Sequence, residues 1–319
     1  MTGAAMTLRN LLRHETILAV LVVLALAILA QRSDRFYTVD NLLNQGRLMA
    51  EVGLVALSMT FVIITGGIDL SVGSIIGLVA ILLGVLWQNV GLPLPLAIVL
   101  AMTIGTLSGV ANGWIITRFR VPPLIATLAT LALYRGLAEG ISQARSVRGY
   151  PEWFFLIGQG EVLGVPVQLW ILIVVAIIAA GVLGFTVFGR ITYAIGNNET
   201  AAKFSGLAVE RTKLLIYGAS GFTASLAAVI FVSRVTTTRS DMGTGWELDA
   251  ITAVVLGGTS IFGGRGTIIG TVLGLMLMQA LKNGLLLAGY KGDSTIVVIG
   301  AALILTILLS NIFRRGGDG

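Results

Sequence analysis

A lone aspartate and a pair of acidic residues are the places where this chain could do chemistry. Asp69 lies in Gly66-Gly67-Ile68-Asp69-Leu70-Ser71-Val72-Gly73-Ser74, between two apolar runs. An unpaired charge in such surroundings is expensive. Its structural reading is a helix cap, with the carboxylate accepting from the amides of Ser71 and Val72. Its functional reading is a pathway or coupling residue. Glu247 and Asp249, in Trp246-Glu247-Leu248-Asp249, stand two apart and do not share a helix face. That spacing argues against a paired acid–base device and suits a gate or a helix start on an outer face.

The remaining residue types exclude more than they propose. There are no cysteines and one histidine, His14, so thiolate chemistry and His-based or Cys-ligated metal sites have no ligand set. No G-x-x-x-x-G-K-[ST] loop occurs, and Gly263-Gly264-Arg265-Gly266 lacks the Lys-Ser/Thr pair that would hold nucleotide phosphates. The chain is expected to carry no cofactor and not to hydrolyse ATP itself.

These residues sit in a chain that is 56% apolar and 11% charged, with 41 glycines; a soluble domain has about 25% charged residues. About 20 consecutive apolar residues cross a bilayer as a helix. Ten such segments are read, near 15–30, 48–65, 74–88, 94–117, 121–140, 167–188, 213–233, 249–262, 266–288 and 294–313. The chain is therefore expected to be an all-α polytopic membrane protein with about ten spans, eight being the alternative even count. Residues 1–30 mimic a signal peptide, but with so many later spans an uncleaved first helix is expected. The segments at 74–88 and 249–262 are short and lie beside glycine-rich breaks, which suggests broken or half-length helices. Irregular backbone at membrane depth is tolerated only inside protein or along a cavity. Gly66–Gly77 and Gly257–Gly270 echo one another as a double glycine, a short polar insert and a small-residue helix start.

The net charge of +6 is modest, and the basic residues fall at span ends, so it reads as membrane orientation rather than nucleic-acid binding. Arg9 and Arg13 before the first span and Arg314 and Arg315 after the last place both termini in the cytoplasm. The same count puts 189–213 inside. Arg32, Arg35, Arg47, Arg145 and Arg148 fall outside and depart from the rule. In 189–213, Asn198-Glu199-Thr200 starts a short helix carrying Ala201, Ala202, Lys203 and Phe204, and Gly206 ends it. From the residues alone, capping the bundle and docking on a soluble partner are equally open uses of that helix.

Five blocks, in order, resemble the membrane permease subunit of sugar ABC importers, the ribose, arabinose, xylose and rhamnose group. They are GGIDLSVGS at 66–74; Asn112-Gly113 with Val121–Leu128 and Tyr134-Arg135-Gly136; Gly189-Arg190 with AIGNNETAAKFSGL at 194–207; Glu247–Ile251 running into LGGTSIFGGRGTIIGT at 256–271; and Asn283-Gly284-Leu285. The resemblance covers nearly the whole chain as a single permease domain, 1–319. It implies the ten-helix fold of the cobalamin-importer permease, a location in the bacterial inner membrane, and a second permease, identical or similar. It also implies a periplasmic sugar-binding protein and a separate cytoplasmic ATPase that holds ATP and Mg²⁺. It assigns 189–213 to ATPase coupling, through Gly189, Arg190, Gly196, Asn198, Glu199, Ala202, Lys203 and Gly206. Asp69, Ser71, Asn112, Trp246, Glu247 and Asp249 become candidates for the path or gate. Arg239–Gly243 and Leu92–Leu96 look most like the rhamnose and autoinducer-2 branch, with ribose, xylose and other pentoses open. The alternative is an ion-coupled secondary transporter, which needs a mid-span ion ligand; Asp69 and Glu139 are its candidates.

Overall fold

The computed structural model describes residues 36–289 except 144, most positions between 15 and 27, and residues 297, 300 and 301. His14, the terminal arginines, Lys291 and nearly all of the expected last span lie outside the described residues. Among the described residues, seven helices are long and apolar enough to cross a membrane. They are α1 (Val39–Ile64), α2 (Val72–Gly84) with its π-helical extension Val85–Asn89, α3 (Leu94–Phe119), α4 (Pro123–Ser142), α6 (Val167–Phe185), α9 (Val209–Val235) and α11 (Ile268–Leu287). Shorter helices are α5 (Glu152–Gln159), α7 (Val187–Asn197), α8 (Glu199–Phe204) and α10 (Trp246–Leu256). Strands β1 (Glu161–Val162) and β2 (Val165–Pro166) form a small antiparallel hairpin. The described positions between 15 and 27 are helical, and Leu18 and Val22 pack against Leu277.

Helix α1 is the axis of the bundle. Every residue from Ala50 to Ile64 is buried, and a helix apolar all round belongs in an interior. It starts at Val39, well before the expected 48, because Thr38 caps it: the Thr38 hydroxyl accepts from the Asn41 amide at 3.4 Å. The tightest helix pair is α3 with α9. Gly105, Gly109 and Gly113 recur every fourth residue on α3. A Cβ at Gly109 would overlap the Tyr217 carbonyl oxygen, and one at Gly113 would stand 2.9 Å from Leu214 Cα. Small residues at that spacing let two backbones approach in lipid, where apolar burial alone does not drive helices together. Helices α4 and α6 lie outside and expose Leu124, Ile125, Leu128, Ile173, Val174 and Ile177. A face this apolar suits hydrocarbon and would be an aggregation liability in water.

The bundle has two distinct ends. At the hairpin end, the Val147 amide donates to the Thr238 hydroxyl at 3.0 Å, the Gly158 amide to the Ser233 hydroxyl at 2.7 Å, and Arg47 pairs with Glu161 at 2.6 Å. At the other end, the Gly264 amide donates to the Ile64 carbonyl at 2.9 Å. Both expected helix breaks exist. Residues 65–71 separate α1 from α2. After α9 the chain turns at Thr236 (φ +57) and runs back along α2: Thr238 stands near Gly84, the Ser240 and Met242 carbonyls near Gly77, and the Gly243 carbonyl near Gly73. α10 then starts inside the bundle; at 11 residues it is about 16 Å long and cannot cross alone. The expected span at 249–262 is this half-length helix followed by a glycine-rich loop.

Candidate translocation and coupling sites

Asp69 is fully buried and makes a side-chain network that joins four elements. Its Oδ1 accepts from the Ser71 amide at 3.0 Å and the Ser71 hydroxyl at 2.6 Å, and its Oδ2 accepts from the Ser220 hydroxyl on α9 at 2.8 Å. Asn112 Nδ2 on α3 donates to Ser71 Oγ at 2.7 Å. The Tyr134 hydroxyl on α4 donates to the Ser108 carbonyl at 3.0 Å and stands 3.2 Å from Asn112 Oδ1. Among the described residues no Lys or Arg pairs with Asp69. Its charge is met by hydroxyls, by an amide and by the N-terminus of α2, where an anion is favoured. Asp69 is not the N-cap expected of it: Ser71 holds that position, and of the two expected amides only that of Ser71 reaches the carboxylate. The break is also tightly filled. A Cβ at Gly67 would stand 2.6 Å from the Tyr217 hydroxyl.

Trp246, Glu247 and Asp249 open α10 as the helix-start reading expected, and each is half-buried. They point to three different neighbours. Trp246 stacks on Phe231 of α9, ring centroids 4.8 Å apart. Glu247 lies against Gly73 at the start of α2. Asp249 pairs with Lys282 of α11 at 2.6 Å. Arg135 on α4 donates to the Ser240 carbonyl, to that of Met242 at 3.1 Å and to that of Gly73 at 3.1 Å. One guanidinium thus ties α4, the start of α2 and the returning segment together. Asp69, Ser71 and Asn112 form one cluster, while Trp246, Glu247 and Asp249 form a separate group on α10.

Sequence reasoning missed Ser220 and the pair of Glu51 with Arg234, and it placed Tyr134 and Arg135 in a family block without giving them a role. Glu51, with a side chain 1% exposed, takes Arg234 Nε at 2.6 Å and Nη2 at 3.0 Å, and the guanidinium also lies 5.1 Å from the Phe231 ring centroid. A carboxylate within a span and an arginine at the end of another are the signal that would have suggested the pair.

The 189–213 stretch is built as an arm rather than a loop. α7 continues after α6 across a Thr186 cap, whose hydroxyl accepts from the Gly189 amide at 3.2 Å. α8 is the short helix the sequence indicates: Asn198 Oδ1 accepts from the Ala201 amide at 2.9 Å, and Gly206 (φ +78) ends it. Ala202 is buried with Ile195 and Val209, while Arg190, Asn198, Glu199, Lys203 and Gly206 are exposed. Two of the three charges expected to meet a partner are engaged within the chain, Glu199 with Lys213 and Lys203 with Glu210, each at 2.6 Å. Phe204 is left 90% exposed. The arm touches both helix breaks. A Cβ at Gly196 would overlap the Ile64 carbonyl oxygen and the Gly264 amide, and the Tyr193 hydroxyl donates to the Gly266 carbonyl at 2.6 Å. The two breaks that echo one another in sequence are therefore neighbours, with the arm wedged against both.

No group of three or more His, Cys, Asp or Glu side chains suited to a metal occurs among the described residues. The chain is 42% identical over 271 residues to the ribose import permease protein RbsC of Bacillus subtilis, covering 84% of each chain. It is 37% identical over 310 residues to RbsC of Escherichia coli K12, covering 94% of each. It is 38% identical over 300 residues to the autoinducer 2 import system permease protein LsrD of Escherichia coli HS, covering 92% of this chain and 91% of that one. The family described as branched-chain amino acid transport system / permease component matches residues 41–307, and this chain is a member of that permease family.

Proposed function

We propose that this chain is the permease subunit of an ATP-driven importer for a monosaccharide or a similarly small, hydroxyl-rich solute. It would work in the bacterial inner membrane, with both termini and the arm in the cytoplasm. Relatives that match over more than nine tenths of both lengths are import permeases for ribose and for autoinducer 2, which supports the substrate class and leaves the particular sugar between them and the rhamnose and xylose types. The ten-helix, cobalamin-importer-type arrangement belongs to the same proposal. So do the partners: a periplasmic sugar-binding protein at the hairpin end, a second permease, and a cytoplasmic ATPase that binds ATP and Mg²⁺ itself.

The observation that carries the coupling assignment is the position of the arm. Phe204 projects from α8, and Gly196 in the same arm sits against the Ile64 carbonyl and Gly264. A push on α8 would reach both breaks without a compressible layer between them, because packed interiors transmit displacement. Support for a second permease comes from α4 and its neighbour. Glu139 on α4 and the Arg239–Asp241 ion pair of the returning segment are exposed, and among the described residues nothing packs on Gly136 or Gly140. Charges are costly against hydrocarbon, so a shared aqueous path suits that face better than lipid does. The path would alternate its opening as ATP binding moves the arm, and substrate need only bind the two states unequally. Tight sugar binding in the pore is not required.

The test is affinity capture of the native complex. Phe204→Asp should give a chain that inserts and folds normally but loses its ATPase. Unchanged ATPase recovery with Phe204→Asp would remove α8 from the coupling surface.

A further inference from the structure

At the arm end of α3, Trp114, Thr117, Arg118, Arg120 and Glu210 line a cavity of 240 Å³. Arg118 closes the last turn of α3. Arg120 is its C-cap in the left-handed region (φ +57), which turns the chain out of the helix before Pro122 and Pro123 start α4. Among the described residues neither guanidinium makes a hydrogen bond or ion pair. The carboxylate that faces both, Glu210, is held instead by Lys203 at 2.6 Å. The cavity is flanked by exposed apolar side chains. Trp114 and Phe119, both exposed, meet edge to face at 5.1 Å. Tryptophan beside arginine at the end of an apolar helix is the arrangement of a headgroup boundary, with rings among the acyl chains and cations at phosphate level.

We propose that this cavity binds the phosphodiester headgroup of an anionic phospholipid. Arg118 and Arg120 would take the phosphate oxygens, a geometry guanidinium matches well, with Trp114 and Phe119 against the chains. A lipid suits the site better than a partner protein because Trp114 in its lining and the neighbouring Phe119 belong to the exposed apolar surface of α3. The site adjoins the arm through Glu210 and Lys203, so a bound headgroup would steady the base of α8. The proposal does not depend on the importer reading.

The test uses the full chain, delipidated in detergent, with native mass spectrometry of phosphatidylglycerol and phosphatidylcholine retention. Arg118→Gln with Arg120→Gln should weaken phosphatidylglycerol retention about twenty-fivefold, about fivefold for each, taking about 1 kcal/mol per basic side chain at an anionic surface and 1.4 kcal/mol per tenfold. Phosphatidylcholine retention should not change. The charge-matched control, Arg145→Gln with Arg148→Gln, should have no effect. An equal loss in the control would mean diffuse charge attraction and overturn the proposal, as would unchanged retention in the double variant. Loss of a captured protein subunit with lipid retention intact would reassign the patch to protein docking. Inorganic phosphate that displaces phosphatidylglycerol from the wild type as well as the lipid's own headgroup, glycerophosphoglycerol, would reassign it to free phosphate. If the double variant fails to fold, brominated phosphatidylglycerol is added to the wild type and to Trp114→Phe. The chain has five tryptophans, so the Trp114 signal is the difference between the two proteins; quenching of that difference by brominated phosphatidylglycerol but not by brominated phosphatidylcholine supports the site, and equal quenching by both lipids refutes it.

Discussion

Replacing Asp69 by Asn and by Ala separates a structural latch from a charge that does transport work. In the structure Asp69 accepts three hydrogen bonds, from the Ser71 amide, the Ser71 hydroxyl and the Ser220 hydroxyl, and is fully buried. Hydrogen bonds to a charged group contribute about 1.5–3 kcal/mol each, so Ala forfeits roughly 5–9 kcal/mol of gross interaction. Removing a buried charge returns several kcal/mol of desolvation. The net cost of Asp69→Ala is then about 3 kcal/mol, dominated by the stranded Ser71 amide and by a void at the break. Asp69→Asn keeps a carbonyl for both Ser71 bonds and presents an NH₂ to Ser220, whose hydroxyl accepts as readily as it donates. Its cost should be about 1 kcal/mol, from charged to neutral acceptors. Thermal unfolding in detergent and uptake in proteoliposomes read the two effects. A latch predicts that stability and uptake fall together, Ala well below Asn. Full stability with abolished uptake in Asp69→Asn would refute the latch and make the charge part of the pathway.

Other substitutions test the packing and the arm. Gly109→Leu should abolish folded protein, because a side chain there meets the Tyr217 carbonyl and Gly221 backbone, which cannot swing aside; size-exclusion yield reads this. Arg234→Ala should destabilise by about 3–5 kcal/mol, since it strands the buried Glu51 charge. The double change with Glu51→Gln should recover part of that loss in the same melting assay. Lys203→Ala should change ATPase recovery little, because its charge is engaged by Glu210 at an exposed pair, where such pairs contribute weakly.

How much of this was legible in the sequence depended on whether the signal was local. The short helix α8 was, since Asn198 and Gly206 are cap and stop residues whose effect is confined to one turn. The start of α10 at Trp246 and the break around Asp69 were legible for the same reason: glycine clusters and a carboxylate interrupt apolar runs. The early start of α1 was not, because Asn41, Asn44, Gln45 and Arg47 are polar and a hydropathy reading stops before them. Ser220 gave no signal, being a small hydroxyl residue in a helix until a carboxylate from 151 residues earlier reaches it. The return of residues 236–245 along α2 was equally hidden. It depends on Gly73, Gly77 and Gly84 leaving a groove on another helix, and on Arg135 satisfying carbonyls that would otherwise be stranded.

The chain has no native cysteine, so a single introduced one is a unique address for a photo-crosslinker. Phe204→Cys, at the tip of the arm, and Leu163→Cys, 90% exposed in the hairpin at the opposite end, place that address at the two ends of the bundle. In native membranes, position 204 should crosslink to an ATPase and position 163 should not. An ATPase captured from position 163, or from neither position in membranes that transport, would contradict the assignment of the arm as the coupling element.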